Sequence, residues 1–114
     1  MEQMNNALAN CLKNCLECHQ VCTETVSHVL HGGGHHSEAK HLVALLDCAQ
    51  ICAVSADFMS RRSPHHSHLC GECAEICNAC AALCEAHDDP DGKMKLCAEA
   101  CRKCAQSCSE MSAA

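Results

Sequence analysis

The sequence predicts an all-α protein that folds as an antiparallel, up-down-up-down four-helix bundle. The first observation is that helix-breaking glycine and proline are concentrated in three stretches, HGGGHHS (31–37), RSPHH (62–66) and HDDPDGK (87–93). The second is that the four segments they separate are rich in Ala, Leu, Glu, Lys and Gln, which favour helix, and are each about 20 to 27 residues long. Because the connections are short, neighbouring helices are expected to be antiparallel.

The first segment contains CLKNCLECHQVC (11–22), in which successive cysteines are four, three and four residues apart. Steps of this size return to one side of an α-helix, whereas a β-strand would need even steps. A helix is therefore predicted, with a stripe formed by Cys11, Cys15, Cys18 and Cys22.

The second segment keeps the same spacing but has fewer cysteines. Cys48 and Cys52 occupy its stripe. The other positions of that stripe, again three or four residues apart, are His41, Leu45, Ser55 and Met59. This pattern also predicts a helix.

The third and fourth segments extend the stripe at both ends. Ser63 is predicted to cap the third helix, and Pro64 to occupy its first helical position. The third stripe consists of His66, Cys70, Cys73, Cys77, Cys80, Cys84 and His87. The fourth consists of Met94, Cys97, Cys101, Cys104, Cys108 and Met111.

Composition indicates one domain, residues 1–114, whose core is built largely from thiols: 15 cysteines, one Phe and no Trp or Tyr. The net charge of −6 and the lack of a basic run longer than Arg61-Arg62 argue against nucleic-acid binding. Polar residues interrupt every apolar stretch, so no membrane span is expected. The N-terminal MEQMNNALAN has neither a basic region nor an apolar signal core, so a cytoplasmic protein is expected.

So many thiols in a cytosolic protein indicate metal binding, and an odd number of them excludes complete intramolecular disulfide pairing. Soft thiolates select Cu(I), zinc or iron–sulfur clusters. Four thiolates around Zn²⁺ leave a charge of −2, which is costly to repeat in a dry core. Cu(I) at a ratio near one ion per sulfur leaves the core almost neutral, so the favoured ligand is Cu(I), on the order of fifteen ions.

Two alternatives remain: an iron–sulfur electron-transfer protein and a zinc or cadmium thiolate sink. Ferredoxin cysteines lie in loops and are followed by proline, whereas each Cys-x-x-Cys here lies within a predicted helix. The sequence contains no recognisable arrangement of nucleophile, base and oxyanion donors, so no enzymatic activity is expected.

Four motifs resemble the bacterial copper storage protein family of cysteine-lined four-helix bundles: CLKNCLECHQVC, DCAQIC (47–52), CGECAEICNACAALCEAH (70–87) and LCAEACRKCAQSC (96–108). The resemblance covers nearly the whole chain. It implies that all fifteen cysteines are Cu(I) ligands. It also implies that the protein belongs to the cytosolic branch of the family and assembles as a homo-oligomer, specifically a tetramer. Copper chaperones and copper enzymes are the expected exchange partners.

The remaining soft side chains are sorted into two ends by the antiparallel topology. Met4, Met59, Met111 and His66 are predicted at one end, and His41, His87 and Met94 at the other. Unlike a thiol, a thioether or a neutral imidazole binds copper without first losing a proton. Met4, Met59, Met111, His41, His66 and His87 are therefore predicted as accessory metal residues, with copper uptake at the methionine end.

Overall fold

Four α-helices form the structure, a computed structural model that describes residues 6–32, 38–86 and 89–113. Helix α1 spans Asn6–Gly32, α2 Ala39–Ser60, α3 His66–Glu85 and α4 Lys93–Ala113. The helix pairs that pack along each other are α1–α2, α2–α3, α3–α4 and α1–α4. The helices therefore surround one core in chain order, and the predicted all-α four-helix bundle is confirmed.

The connection between α2 and α3 differs from the prediction. Arg62 adopts a left-handed conformation, with φ 51°, and its backbone N–H donates to the Met59 carbonyl. The Ser63 N–H donates to the Phe58 carbonyl at 2.9 Å. These two bonds form the Schellman arrangement that ends a helix, with arginine at the position that usually has glycine.

The predicted start of α3 at Ser63 and Pro64 is wrong, because the chain makes a turn after α2 and His65 occupies the cap position of α3. The Ser63 hydroxyl accepts a hydrogen bond from the His65 N–H at 3.1 Å, and the helix begins three residues after Ser63, at His66. Pro64 lies in the turn before it. This hydrogen bond to the residue two positions on forms a Ser turn that precedes the helix.

Helix α4 begins where the third predicted break ends. The Asp89 carboxylate accepts hydrogen bonds from the backbone N–H groups of Met94, at 3.0 Å, and Lys95, at 2.8 Å. These groups have no partner within the helix, so the carboxylate satisfies them and stabilises the positive end of the helix dipole.

The core is formed by the predicted stripes. All fifteen cysteines are buried. The side chains of His41, Leu45, Ser55 and Met59 in α2, and of Met94 and Met111 in α4, are buried with them. Alanines beside the stripes fill the contacts between helices: Ala49, Ala56, Ala74, Ala81, Ala98 and Ala105.

Helix α2 has a further property that the interrupted apolar stretches did not predict. An 18-residue window within its 22 residues reaches a mean hydropathy of 1.7, so α2 would be long and apolar enough to cross a membrane by length and composition alone. Core helices of soluble proteins pass the same test, and one face of α2 is packed against the other helices.

Candidate metal centre

The fifteen thiols are all free, and fourteen of them are completely shielded from solvent. Cys84 is the exception, with 2% of its surface exposed. The 4-3-4 spacing explains this arrangement, because it keeps every cysteine of a helix on the side that faces the bundle axis. The sulfur atoms of all four helices therefore share one interior.

Contacts between sulfurs connect the helices. The Sγ atoms of Cys11 and Cys108 are 3.5 Å apart, which joins α1 to α4. The Sγ atoms of Cys48 and Cys77 are also 3.5 Å apart, which joins α2 to α3. Within helix α1, the sulfurs of Cys18 and Cys22 approach to 3.9 Å, as expected for side chains four residues apart.

The sulfurs form overlapping groups in which all atoms lie within 4.8 Å of one another. From one end of the bundle to the other, these groups are Cys11-Cys70-Cys108, Cys15-Cys73-Cys104-Cys108, Cys18-Cys52-Cys77-Cys104, Cys18-Cys22-Cys48-Cys101 and Cys22-Cys80-Cys97-Cys101. Consecutive groups share at least one sulfur, so they form a continuous sulfur ladder. The ladder contains every cysteine except Cys84.

Cys84 lies beyond the last group and has an imidazole partner. The Nε2 atom of buried His41 is 3.3 Å from its Sγ atom. The neighbouring thiols of Cys80 and Cys97, followed by burial, raise the pKa of Cys84 well above its ordinary value. The thiol is therefore protonated at neutral pH, and a metal ion that binds there must displace the proton.

The thiols of the ladder influence one another in the same way. A hydrogen bond with Cys108 lowers the pKa of Cys70, but Cys11 and burial outweigh it and raise the value to about 12. The pKa of Cys101 is raised, first by Cys18 and then by Cys22. The contact with Cys101 is also the first cause of the lowered pKa of Cys18.

The structure places the predicted accessory residues as follows. Met59 is completely buried and Met111 is 8% exposed; both lie at the end where α2 and α4 finish. His66, at the start of α3, is half-buried, and its Nδ1 atom is buried with no hydrogen-bond partner among the described residues. Met4 and His87 lie outside the described residues.

A polar pair inside the core was missed by the sequence analysis. Asn14 is 3% exposed and donates from Nδ2 to the Ser107 hydroxyl at 3.1 Å. The Ser107 hydroxyl in turn donates to the Cys104 carbonyl at 3.2 Å. The Asn14 Oδ1 atom is buried and has no hydrogen-bond partner in the described part of the chain. Spacing could have indicated that each side chain lies near the core, since each residue is three positions after a stripe cysteine, but it could not show that the two side chains meet.

Comparison with protein families gives one matching family model, described as "Csp: Copper storage protein", over residues 4–113. A solved structure of the Nmul_A1745 protein from Nitrosospira multiformis is 40% identical, with a TM-score of 0.90, and covers 96% of this chain and 98% of that one.

Two further solved structures contain copper according to their descriptions. The Cu(I)-bound copper storage protein BsCsp3 of Bacillus subtilis is 31% identical, with a TM-score of 0.86, and covers 94% of this chain and 99% of that one. A cytosolic copper storage protein from Streptomyces lividans, described with five coppers, is 32% identical, with a TM-score of 0.81, over 95% of this chain and 93% of that one.

Proposed function

The chain belongs to the copper storage protein family, and from this premise we propose that it sequesters many Cu(I) ions by binding them to the thiolates of its core. The single observation that carries the proposal is the continuous sulfur ladder, in which fourteen buried thiols form overlapping groups along the bundle axis. A core built for packing alone would use leucine or isoleucine at these positions, because each buries more apolar surface than cysteine.

Distances within the ladder suit metal bridging. A zinc–thiolate bond is about 2.3 Å long, so an ion with bonds of that length contacts two sulfurs up to about 4.6 Å apart. The sulfur contacts between helices, such as the 3.5 Å of Cys48–Cys77 and the 3.7 Å of Cys18–Cys48, lie within this limit. An ion between such a pair would therefore bond to both sulfurs without a change in the helix positions.

Sharing of sulfurs between groups favours Cu(I) over Zn²⁺. Cys18, Cys104 and Cys108 each belong to two groups. A set of tetrahedral zinc sites would need four separate thiolates for each ion. Cu(I) accepts fewer sulfurs and each sulfur can bridge two ions, so shared thiolates increase the number of Cu(I) ions that fit.

The proposed ligands are the fifteen cysteines, with His41 completing the coordination of an ion at Cys84. Met59, Met111 and His66, together with Met4, are proposed to take up Cu(I) at their end of the bundle, and His87 to assist at the other. Burial of Met59 and Met111 and the unpartnered Nδ1 atom of His66 support this assignment.

The proposal extends to how the protein works in the cell. Storage is a non-enzymatic role, and we assign no catalysis to residues 1–114, taken as one domain. We place the protein in the cytoplasm, where it would exchange Cu(I) with copper chaperones or copper enzymes. A homo-oligomer, specifically a tetramer, is supported by large apolar side chains that are more than half exposed: Leu16, Leu30, Val43, Leu46 and Leu96.

Anaerobic titration of the reduced protein with Cu(I), in competition with a chromophoric Cu(I) chelator, tests the proposal. We expect saturation near one ion per cysteine, about fifteen in all, with the helical circular-dichroism signal already present in the metal-free protein. A parallel titration with Zn²⁺ is the control. Saturation by Zn²⁺ at about one ion per four cysteines, with weaker binding of Cu(I), would instead support a zinc sink. A brown protein with bound iron would support an iron–sulfur protein.

A further inference from the structure

A surface pocket of about 650 Å³ lies between α3 and α4, near the end of the bundle that contains His41. Cys84, the one cysteine with any exposed surface, lines it. Small residues keep the pocket open. Ala98 lies in its wall, and no atom of the described residues lies within 4 Å of the place where a Cβ on Gly92 would be. With φ +75°, Gly92 also adopts a conformation that other residues rarely accept.

Cys84 connects this pocket to the sulfur ladder. Its thiol lies beside those of Cys80 and Cys97, the two neighbours that most strongly raise its pKa. Cys80 and Cys97 belong to the last group of the ladder, together with Cys22 and Cys101. An ion bound at Cys84 would therefore lie between this pocket and the sulfur ligands of the ladder.

The walls of the pocket carry charges of both signs. Arg102 is bound to Glu85 at 2.8 Å, and the Asp89 carboxylate is occupied by the backbone of α4. Lys95 and Glu99 are exposed, four residues apart on one face of α4, and neither has an ion pair with another described residue. One cationic and one anionic group thus line the same pocket as Cys84.

We infer that this pocket binds a small zwitterionic thiol, of the amino-acid or short-peptide class, which exchanges Cu(I) with Cys84. Its carboxylate would pair with Lys95, its ammonium group with Glu99, and its sulfur would reach Cys84. The volume is in the range of small-molecule sites, about 300 to 1,000 Å³, and is too small for a folded carrier protein. The inference rests on the proposed storage of Cu(I).

The exchange is a ligand substitution without electron transfer. For an ion held between Cys84 and Cys97, the incoming thiol forms a bond from its sulfur to copper, the bond from copper to the Cys84 Sγ atom breaks, and the proton of the incoming thiol moves to that Sγ atom. A second thiol replaces Cys97 in the same way. Copper remains Cu(I) throughout, and it leaves as an anionic complex with two thiolates while two protein thiols regain their protons.

The test measures release of Cu(I) from the fully loaded protein into a protein-free filtrate under anaerobic conditions. Reduced glutathione supplies the zwitterionic thiol. Cysteamine, 3-mercaptopropionate and 2-mercaptoethanol supply a cationic, an anionic and a neutral thiol, each at the same thiolate concentration. We expect the release rate to saturate with glutathione and to rise linearly with the other three. S-methylglutathione, which cannot bind copper through a thiolate, is expected to inhibit the glutathione reaction competitively.

Two charge reversals locate the effect. Lys95→Glu and Glu99→Lys should each raise the half-saturating glutathione concentration about fivefold, because each removes one exposed ion pair with the bound thiol. Lys13→Glu, an exposed change on α1 outside the residues that line the pocket, is the matched control and should leave that concentration unchanged. Binding of S-methylglutathione to the metal-free protein should shift the amide NMR signals of Gly92, Lys95 and Glu99.

Equal and linear rates for all four thiols would overturn the inference, as would charge-reversal variants that behave like the Lys13→Glu control. Release that requires a protein donor or acceptor and does not saturate with glutathione would also overturn it. Failure of storage itself is separately visible, because a protein that does not bind Cu(I) fails in the preceding titration, before any thiol is added.

Discussion

Replacing Cys18 by alanine should reduce the Cu(I) capacity more than replacing Cys70. Cys18 lies in two groups of the ladder, and its sulfur contacts those of Cys22, Cys48 and Cys101 at 3.7 to 3.9 Å. Cys70 lies in one group, at the end of the ladder. A sulfur that bridges two ions supports both, whereas a terminal sulfur supports one. We therefore expect a loss of about two Cu(I) ions for Cys18→Ala and about one for Cys70→Ala.

The two variants form a matched pair because both cysteines are completely buried and each loses the same single atom. Each change should destabilise the metal-free protein by about 1 kcal/mol, the cost of a small deletion in a core. Capacity is measured by native mass spectrometry of the loaded protein and by titration against a chelator. Urea unfolding of the metal-free variants checks that both remain folded. Equal losses in the two variants would refute the idea that shared sulfurs bridge ions.

Three other perturbations have defined outcomes. Asn14→Leu should stabilise the metal-free protein by about 1 kcal/mol in urea unfolding. It removes the bond to Ser107, but it also removes a buried oxygen that has no partner among the described residues. A lower stability of the variant would contradict this prediction. Met59→Leu combined with Met111→Leu should slow Cu(I) uptake in stopped-flow measurements and leave the capacity unchanged, and an unaltered rate would exclude uptake at that end. Because the raised pKa keeps Cys84 protonated at neutral pH, Cu(I) competes there with a proton, and the affinity should rise by about tenfold per pH unit for each proton displaced. Cys84→Ser should release about one proton fewer on loading, as measured by a pH indicator.

Much of the fold followed from local patterns. Helix boundaries were predicted from glycine and proline, and the faces of the helices from the spacing of the cysteines, because 3.6 residues per turn fixes which positions share a side. The start of α3 was wrong for a local reason as well. Ser63 was expected to cap the helix that follows, but its hydroxyl accepts a hydrogen bond within a turn that precedes α3. Residues between two helices can extend either helix or form a turn between them, and propensities alone do not decide which.

The Asn14–Ser107 pair and the pocket at Cys84 required the tertiary structure. Asn14 and Ser107 are 93 residues apart, and their contact depends on the register between α1 and α4. The pocket depends on how α3 packs against α4 near Gly92 and Ala98. The spacing of residues within a single helix carries no information on either quantity.

The sequence by itself determined that thiols from four helices face one interior, because a repeat of three and four residues places them on one side of each helix whatever the neighbours are. The tertiary structure alone decided which sulfurs lie within bonding distance of the same ion, which of them are shared, and why Cys84 lines a surface pocket. Those properties depend on the axial register and separation of helices, which are set by packing between residues distant in the chain.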